Sequence, residues 1–179
     1  MEHWPVPESY SRTVPIKGSP GSFWEYRCDK RHCGVDIYAP EGSDVISVED
    51  GKVVYTGVFT SPKDVPYWDT TYYILVKNKM GFLCKYAELG DAKVKASDLV
   101  NAGQIIASVG RVLNPDKITS QSPAYIQKLK ERGNLSMLHF ELYKSPITDT
   151  KHYMGGSWFG DAKPENLLDP TNYLNSIKG

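Results

Sequence analysis

Apolar and polar residues alternate in short stretches along most of this chain, and that period predicts strands rather than helices. V-D-I-Y-A-P at 35–40 is one such stretch, stopped by Pro40, with E-G-S behind it as a turn. D-V-I-S-V, G-K-V-V-Y-T-G-V, T-Y-Y-I-L-V-K and G-F-L-C-K-Y follow, separated by D-G, by a loop around 60–69 and by N-K-M-G. V-N-A-G-Q-I-I-A-S-V-G, 100–110, adds a turn and another strand. Short β-branched and aromatic runs at this spacing predict a mainly β fold, an antiparallel β-sandwich or a partly closed barrel.

One helix is expected, over 122–133. Ser122 suits its N-cap, Pro123 its first position, and Gly133 falls just past its end. M-L-H-F-E-L-Y then reads as a strand. Residues 1–22, rich in Pro, Gly and Ser, form an irregular lead-in strapped over the domain, and a long loop spans 144–165. No repeat or linker interrupts 23–179, which is expected to be a single domain.

Composition narrows the function classes. The chain has 179 residues, enough for a real core, and 21 basic against 21 acidic residues leave no net field. Nucleic acid and anionic membranes are therefore not expected partners. No stretch approaches the roughly 20 apolar residues of a membrane span. M-E-H-W-P-V-P has neither a basic start nor an apolar core, so no signal peptide is read there; an extracellular or cell-envelope site would follow from one already removed. Twelve tyrosines and four tryptophans suit strands, and a surface able to stack on sugars or peptides. Cys28, Cys33 and Cys84 form no C-x-x-C pair and allow at most one disulfide, Cys28–Cys33 being the short candidate. Nothing in the sequence gives an oligomeric state.

R-H-C-G-V-D at 31–36 and M-L-H-F-E-L at 137–142 carry the chemistry. If 32–38 is extended, His32, Gly34 and Asp36 share a face, and Gly34 leaves room between the other two for an ion. His139 supplies a further imidazole from another strand. Two histidines and an aspartate with an open fourth position make a catalytic-type zinc set. Alternation turns Cys33 away from that face, into packing. His152, in the 144–165 loop, either swings toward the site or stays on the surface. Tyr153 and Trp158 either line a ligand groove or pack the loop onto the sheet.

The order of these motifs resembles the lysostaphin-type (LytM-like) zinc metallopeptidases that cut peptide crosslinks in bacterial cell walls. H-C-G-V-D-I-Y-A-P-E-G-S-D-V is similar to the family's H-x-G-x-D and A-P-x-G-x-x-V. E-D-G-K-V-V-Y-T-G resembles its D-G-x-V, and V-N-A-G-Q-I-I-A-S-V-G its V-x-x-G-x-x-I-x-x-V-G. L-D-P-T-N-Y-L resembles its D-P-x-x-Y-L tail. The likeness, from about Phe23 to Leu174, implies the duplicated hybrid-motif β-fold with one inserted helix, and one zinc ion on His32, Asp36 and His139.

Two departures accompany it. Y-A-E-L stands for the family's Y-x-H-L and M-L-H-F-E for its H-x-H-F-E, so Glu88 and Met137 occupy the places of the two non-ligand catalytic histidines. Residues 111–136 are extra and would narrow or roof the cleft. A methionine cannot shuttle protons. Glu88 has three readings: a general base, a fourth metal ligand, or a solvated side chain. The resemblance then implies a catalytically impaired domain that binds a peptide, peptidoglycan or protein ligand in its cleft. The alternative is an active zinc metalloendopeptidase of peptidoglycan crosslinks using Glu88 or another group as base. Sugar-phosphotransferase carrier domains share the broader fold but rely on paired histidines that Glu88 and Met137 do not supply.

Overall fold

A computed structural model describes residues 2–149 and 151–177. Strand β1 (Arg31–His32) is followed by β2 (Val35–Tyr38), β3 (Asp44–Ile46), β4 (Gly51–Thr60), β5 (Thr71–Asn78) and β6 (Leu83–Ala92). After β7 (Leu99–Val100) and β8 (Ile105–Val109) come helix α1 (Ala124–Glu131) and β9 (Met137–Tyr143). The chain closes with β10 (Tyr153–Met154), β11 (Ser157–Trp158), β12 (Leu167–Leu168) and helix α2 (Thr171–Asn175).

The main sheet runs β12-β9-β6-β5-β4-β7, with β2 on β9 and β8 between β3 and β6. A small sheet, β1-β11-β10, lies apart. Pairing is antiparallel throughout, as the alternating pattern predicts, and the sheets stay open rather than closing into a barrel.

Strand β9 organises the molecule. It pairs with β2, β6 and β12, and all seven of its residues are buried. Leu138, Phe140 and Leu142 point into the main core with Val35, Ile37, Ile74, Tyr86 and Ile106. Each such side chain contributes roughly 1.5–3 kcal/mol by leaving water. Successive residues face opposite ways, so Met137, His139, Glu141 and Tyr143 are presented together on the other face. That face bears the chemistry.

The Pro-rich lead-in has no strand of its own, yet Trp4, Val6 and Val14 are anchored in the main core. Its backbone serves as an edge: the Ile46 amide donates to the Pro5 carbonyl at 2.9 Å and the Asp36 amide to Gly21 at 2.9 Å. Residues 111–136 build a second small core, where Val112, Leu113, Ile118, Ile126 and Met137 are buried together. Its neck is closed where the Val112 amide donates to the Leu135 carbonyl at 2.9 Å.

Three local expectations change. The run 32–38 is not continuously extended: it breaks at Cys33–Gly34, and His32 belongs to the small sheet while Asp36 belongs to the main one. The room at Gly34 is not left for an ion either. A Cβ there would sit 2.3 Å from the Phe140 carbonyl oxygen, so the missing side chain lets two backbones meet. Ser122 does not cap α1, because its hydroxyl already accepts the Thr119 amide at 3.0 Å; Pro123 takes the cap position instead. Gly133 does follow the helix in the left-handed region, at φ +70°. Helix α2 has five residues, too few to show a helical period in the sequence.

Candidate metal centre

His139 sits at the middle of β9, directly opposite Asp36 of β2. His32 arrives from the small sheet, where it pairs with Ser157. The three expected side chains therefore converge from separate strands. His32 Nε2 lies 3.0 Å from His139 Nδ1 and 3.1 Å from Asp36 Oδ1, and Asp36 Oδ1 lies 3.0 Å from His139 Nδ1. All three residues are buried.

The outward ring nitrogens fix what these atoms are. His32 Nδ1 lies 2.8 Å from the Ser22 carbonyl oxygen, which can only accept, so the proton is on Nδ1 and Nε2 presents a lone pair. His139 Nε2 lies 2.8 Å from Glu141 Oε1, and the carboxylate accepts its proton. Hydrogen bonds from Tyr143 and Tyr153 hold Glu141 in place. Two imidazole nitrogens and one carboxylate oxygen thus face a common point, which suits a cation once the nitrogens are unprotonated. Tetrahedral zinc with bonds of about 2.0–2.1 Å separates its ligands by roughly 3.3–3.4 Å, within a few tenths of the spacing here. The histidine–carboxylate and histidine–carbonyl bonds are the outer contacts that orient metal-ligating imidazoles.

Electrostatics agree with that geometry. Burial opposes ionisation of Asp36, but His32, His139 and Arg27 outweigh it and hold the carboxyl well below its ordinary range. Burial also opposes the charged form of His139, yet Asp36 and Glu141 overcome it and raise the ring to about 10. His32, buried and facing the Arg27 charge, is shifted downward.

Glu88 is not a solvated side chain. It is buried, its backbone is left-handed at φ +63°, and among the described residues its Oε2 has no hydrogen-bond partner. Burial, then the nearby Asp36 charge, push its carboxyl up to about 8. It lines the same crevice as Asp36, though it is not among the converging donors. Met137 is buried in the apolar cluster of the insertion. His152 stays on the surface, where Nδ1 lies 2.7 Å from Asp149 Oδ2, and His3 packs against Gly103. Of the four histidines, only His32 and His139 are therefore at the site. Cys33 is buried away from the donors, and all three cysteines are free thiols.

The insertion reaches this centre. Tyr125, Ile126 and Leu129 of α1 line the crevice with Met137 and Trp68, leaving about 40 Å³ of free space. Arg27 ties the two parts together. Its guanidinium donates to Asp36 Oδ2 at 3.2 Å and to Glu25, and lies 5.2 Å from the Tyr125 ring centre. Sequence reasoning missed Arg27 and the Ser22 carbonyl, whose contacts carry no local pattern. Glu141 had a signal: it stands two residues from His139, on the same face of the same strand.

Two imidazoles and a carboxylate from three strands thus meet beside an antiparallel sheet as a metal-type donor set. The profile of Peptidase family M23 matches residues 30–152, and the chain belongs to that family. It is 29% identical over 107 residues to the cell division protein DipM of Caulobacter vibrioides, a match covering 60% of this chain but only 15% of that relative. The fold is shared with the catalytic domain of lysostaphin from Staphylococcus simulans. That likeness has a TM-score of 0.51 and 19% identity, over 98% of this chain and 92% of that one. A chain in the crystal structure of the SpoIIIAH and SpoIIQ complex matches at a TM-score of 0.52 and 17% identity, over 97% and 99%. No helix among the described residues is long and apolar enough to cross a membrane.

Proposed function

We propose that this M23 domain holds one zinc ion through His32, Asp36 and His139 as a structural centre, and that it is a catalytically impaired, ligand-binding member of its family in the cell envelope. Peptide, peptidoglycan or protein is the class of partner. The observation that carries this reading is the filling of the crevice: about 40 Å³ remains beside the donors, beneath α1 and Met137. A scissile peptide with its flanking residues needs several times that space.

Zinc in such a donor set supplies Lewis acidity, and peptide hydrolysis also requires groups that move protons and stabilise the developing oxyanion. Each general acid or base contributes about 10²–10⁴ in rate. Beyond the donors, the crevice offers Glu88, the hydroxyls of Tyr125 and Ser157, the Met137 thioether, which cannot carry a proton, and the cations of Arg27 and Lys30. Burial raises the Tyr125 hydroxyl, which keeps its proton and is no base at neutral pH. Arg27 is committed to Asp36 and Glu25. In this reading residues 23–179 form one domain whose 111–136 insertion replaces substrate in the cleft.

One observation favours the second reading, an active endopeptidase. Glu88 is a buried carboxyl with a free oxygen and an affinity for protons near neutrality, as a general base needs. The test is metal analysis of chelator-free protein together with digestion of glycine-rich and wall-derived peptides by wild type and Glu88→Ala. One zinc per chain with no cleavage by either protein is expected. Cleavage by wild type that is lost in Glu88→Ala would replace the first reading with the second.

A further inference from the structure

Apart from the metal crevice, the same sheet face carries an open trough of about 450 Å³. Its floor is aromatic. Tyr55 of β4 and Tyr73 of β5 stack with ring centres 5.6 Å apart and planes 26° from parallel. The sheet is shaped for that stack: a Cβ on Gly57 would lie 2.9 Å from the Tyr55 ring and 3.1 Å from the Tyr73 ring. A register shift between Val53 and Tyr55 marks a bulge in β4, and both Val54 and Tyr55 line the trough beside it. Tyr55 is 53% exposed, so the stack meets solvent instead of being covered by the chain.

The trough is electrically neutral. Among the described residues, Lys85 is the one charged side chain lining it, and its ammonium is matched by Glu141 at 3.3 Å. Lys85 Nζ is also enclosed by the Phe59, Tyr73 and Tyr153 rings at 4.9, 4.7 and 4.4 Å and donates to the Tyr153 hydroxyl. A charged ligand would find no free counter-charge here and would lose its hydration without compensation. The trough also crosses the strands, from β4 through β5 and β6 to Tyr143 at the end of β9. An extended peptide seated along it could not add to the sheet as a further strand.

We infer that this trough is a carbohydrate-binding site, taking an uncharged pyranose, with the C–H face of the sugar on the outer face of Tyr55, whose other face is backed by Tyr73. The Tyr55 and Tyr73 hydroxyls offer donors and acceptors to the sugar hydroxyls, those of Tyr143 and Tyr153 being engaged by Glu141, while Leu75 and Ile147 supply apolar wall for an N-acetyl methyl. The volume lies within the range of small-molecule sites and accommodates one or two rings. The site stands whether or not the cleft hydrolyses anything, because the two cavities take different ligands.

The test is a titration of the full zinc-loaded chain with an N-acetylglucosamine tetramer, and separately with tetraglycine, read by calorimetry and by amide shifts. Saturable sugar binding is expected, with shifts at Tyr55, Tyr73 and Ile147. Tyr55→Ala should weaken it by about tenfold, the loss of one ring stack, and Tyr55→Phe by no more than about twofold. Tyr55 is largely exposed, so its truncation leaves the fold intact, and an unchanged zinc content verifies that. No saturation with the tetramer, binding of tetraglycine in its place, shifts confined elsewhere, or undiminished binding by Tyr55→Ala would each overturn the assignment. Zinc content and peptide cleavage, read on the same samples, judge the metal-centre proposal separately.

Discussion

The metal crevice and the aromatic trough are two halves of one sheet face, and they differ in almost every physical respect. The crevice is buried, crowded with charge and nearly full; the trough is open, neutral and empty of the chain's own side chains. One strand serves both: Met137 lines the crevice and Tyr143 the trough, with His139 and Glu141 buried between them on the same face. Glu141 joins them, accepting from His139 on one side and from Tyr143 and Tyr153 on the other. The difference teaches that one sheet face can keep a metal-type donor geometry in a crevice filled by the chain's own side chains while a second cavity on it stays open.

The sharpest way to break that comparison is to remove a donor. Asp36→Ala should lower bound zinc from one per chain to none after dialysis, as measured by atomic emission, because two imidazoles alone do not complete a zinc site. Sugar binding in the trough should survive.

A second test reopens the crevice. Replacing 113–134 with a two-residue Asn-Gly turn across the Val112–Leu135 neck and introducing Glu88→His with Met137→His should raise cleavage of glycine-rich peptides by about 10²–10⁴ over wild type. The same two substitutions with the insertion present should raise it far less, since access stays blocked. Equal activity in both proteins would mean that the insertion does not limit the site.

Glu141→Gln sharpens the boundary between the two halves. It leaves the shape of the side chain but removes the charge that orients His139, and zinc affinity should fall about 10–100-fold. A competition assay with a chromophoric chelator reads this directly.

The smallest expected effect is a pH dependence. Glu88 titrates at about 8 in the folded chain, whereas an unperturbed glutamate titrates at 4.5. The folded state thus holds a proton that the unfolded state has already released. Its contribution is fully present below pH 4.5 and is lost as pH rises through 8. In chelator, Glu88→Gln should be more stable than wild type at pH 9, by about 1 kcal/mol or more, and nearly equal to it at pH 4. Urea unfolding at the two pH values tests the sign.

Much of this architecture was legible in the chain itself. The short alternating runs mark β2 to β6, and the spacing of His32, Asp36 and His139 anticipates three donors that do converge. What the sequence hid depends on contacts between distant segments. Nothing near Arg27 announces that it bridges Asp36 and Tyr125, and the Ser22 carbonyl is a backbone atom in an irregular segment. Gly34 was legible as necessary but for the wrong reason, since the crowding comes from β9. Glu88 reads as a surface residue by type, yet it is buried in a crevice that residues of the insertion also line. The trough was invisible because Tyr55, Tyr73 and Lys85 come from three strands and only their register unites them.

The most direct measurement is zinc stoichiometry at pH 8 in protein purified without chelator, set beside Asp36→Ala and His139→Ala. One tightly held ion in wild type and none in either variant is the predicted result. An ion that is absent from wild type, or retained equally by both variants, would contradict a centre built on these three side chains.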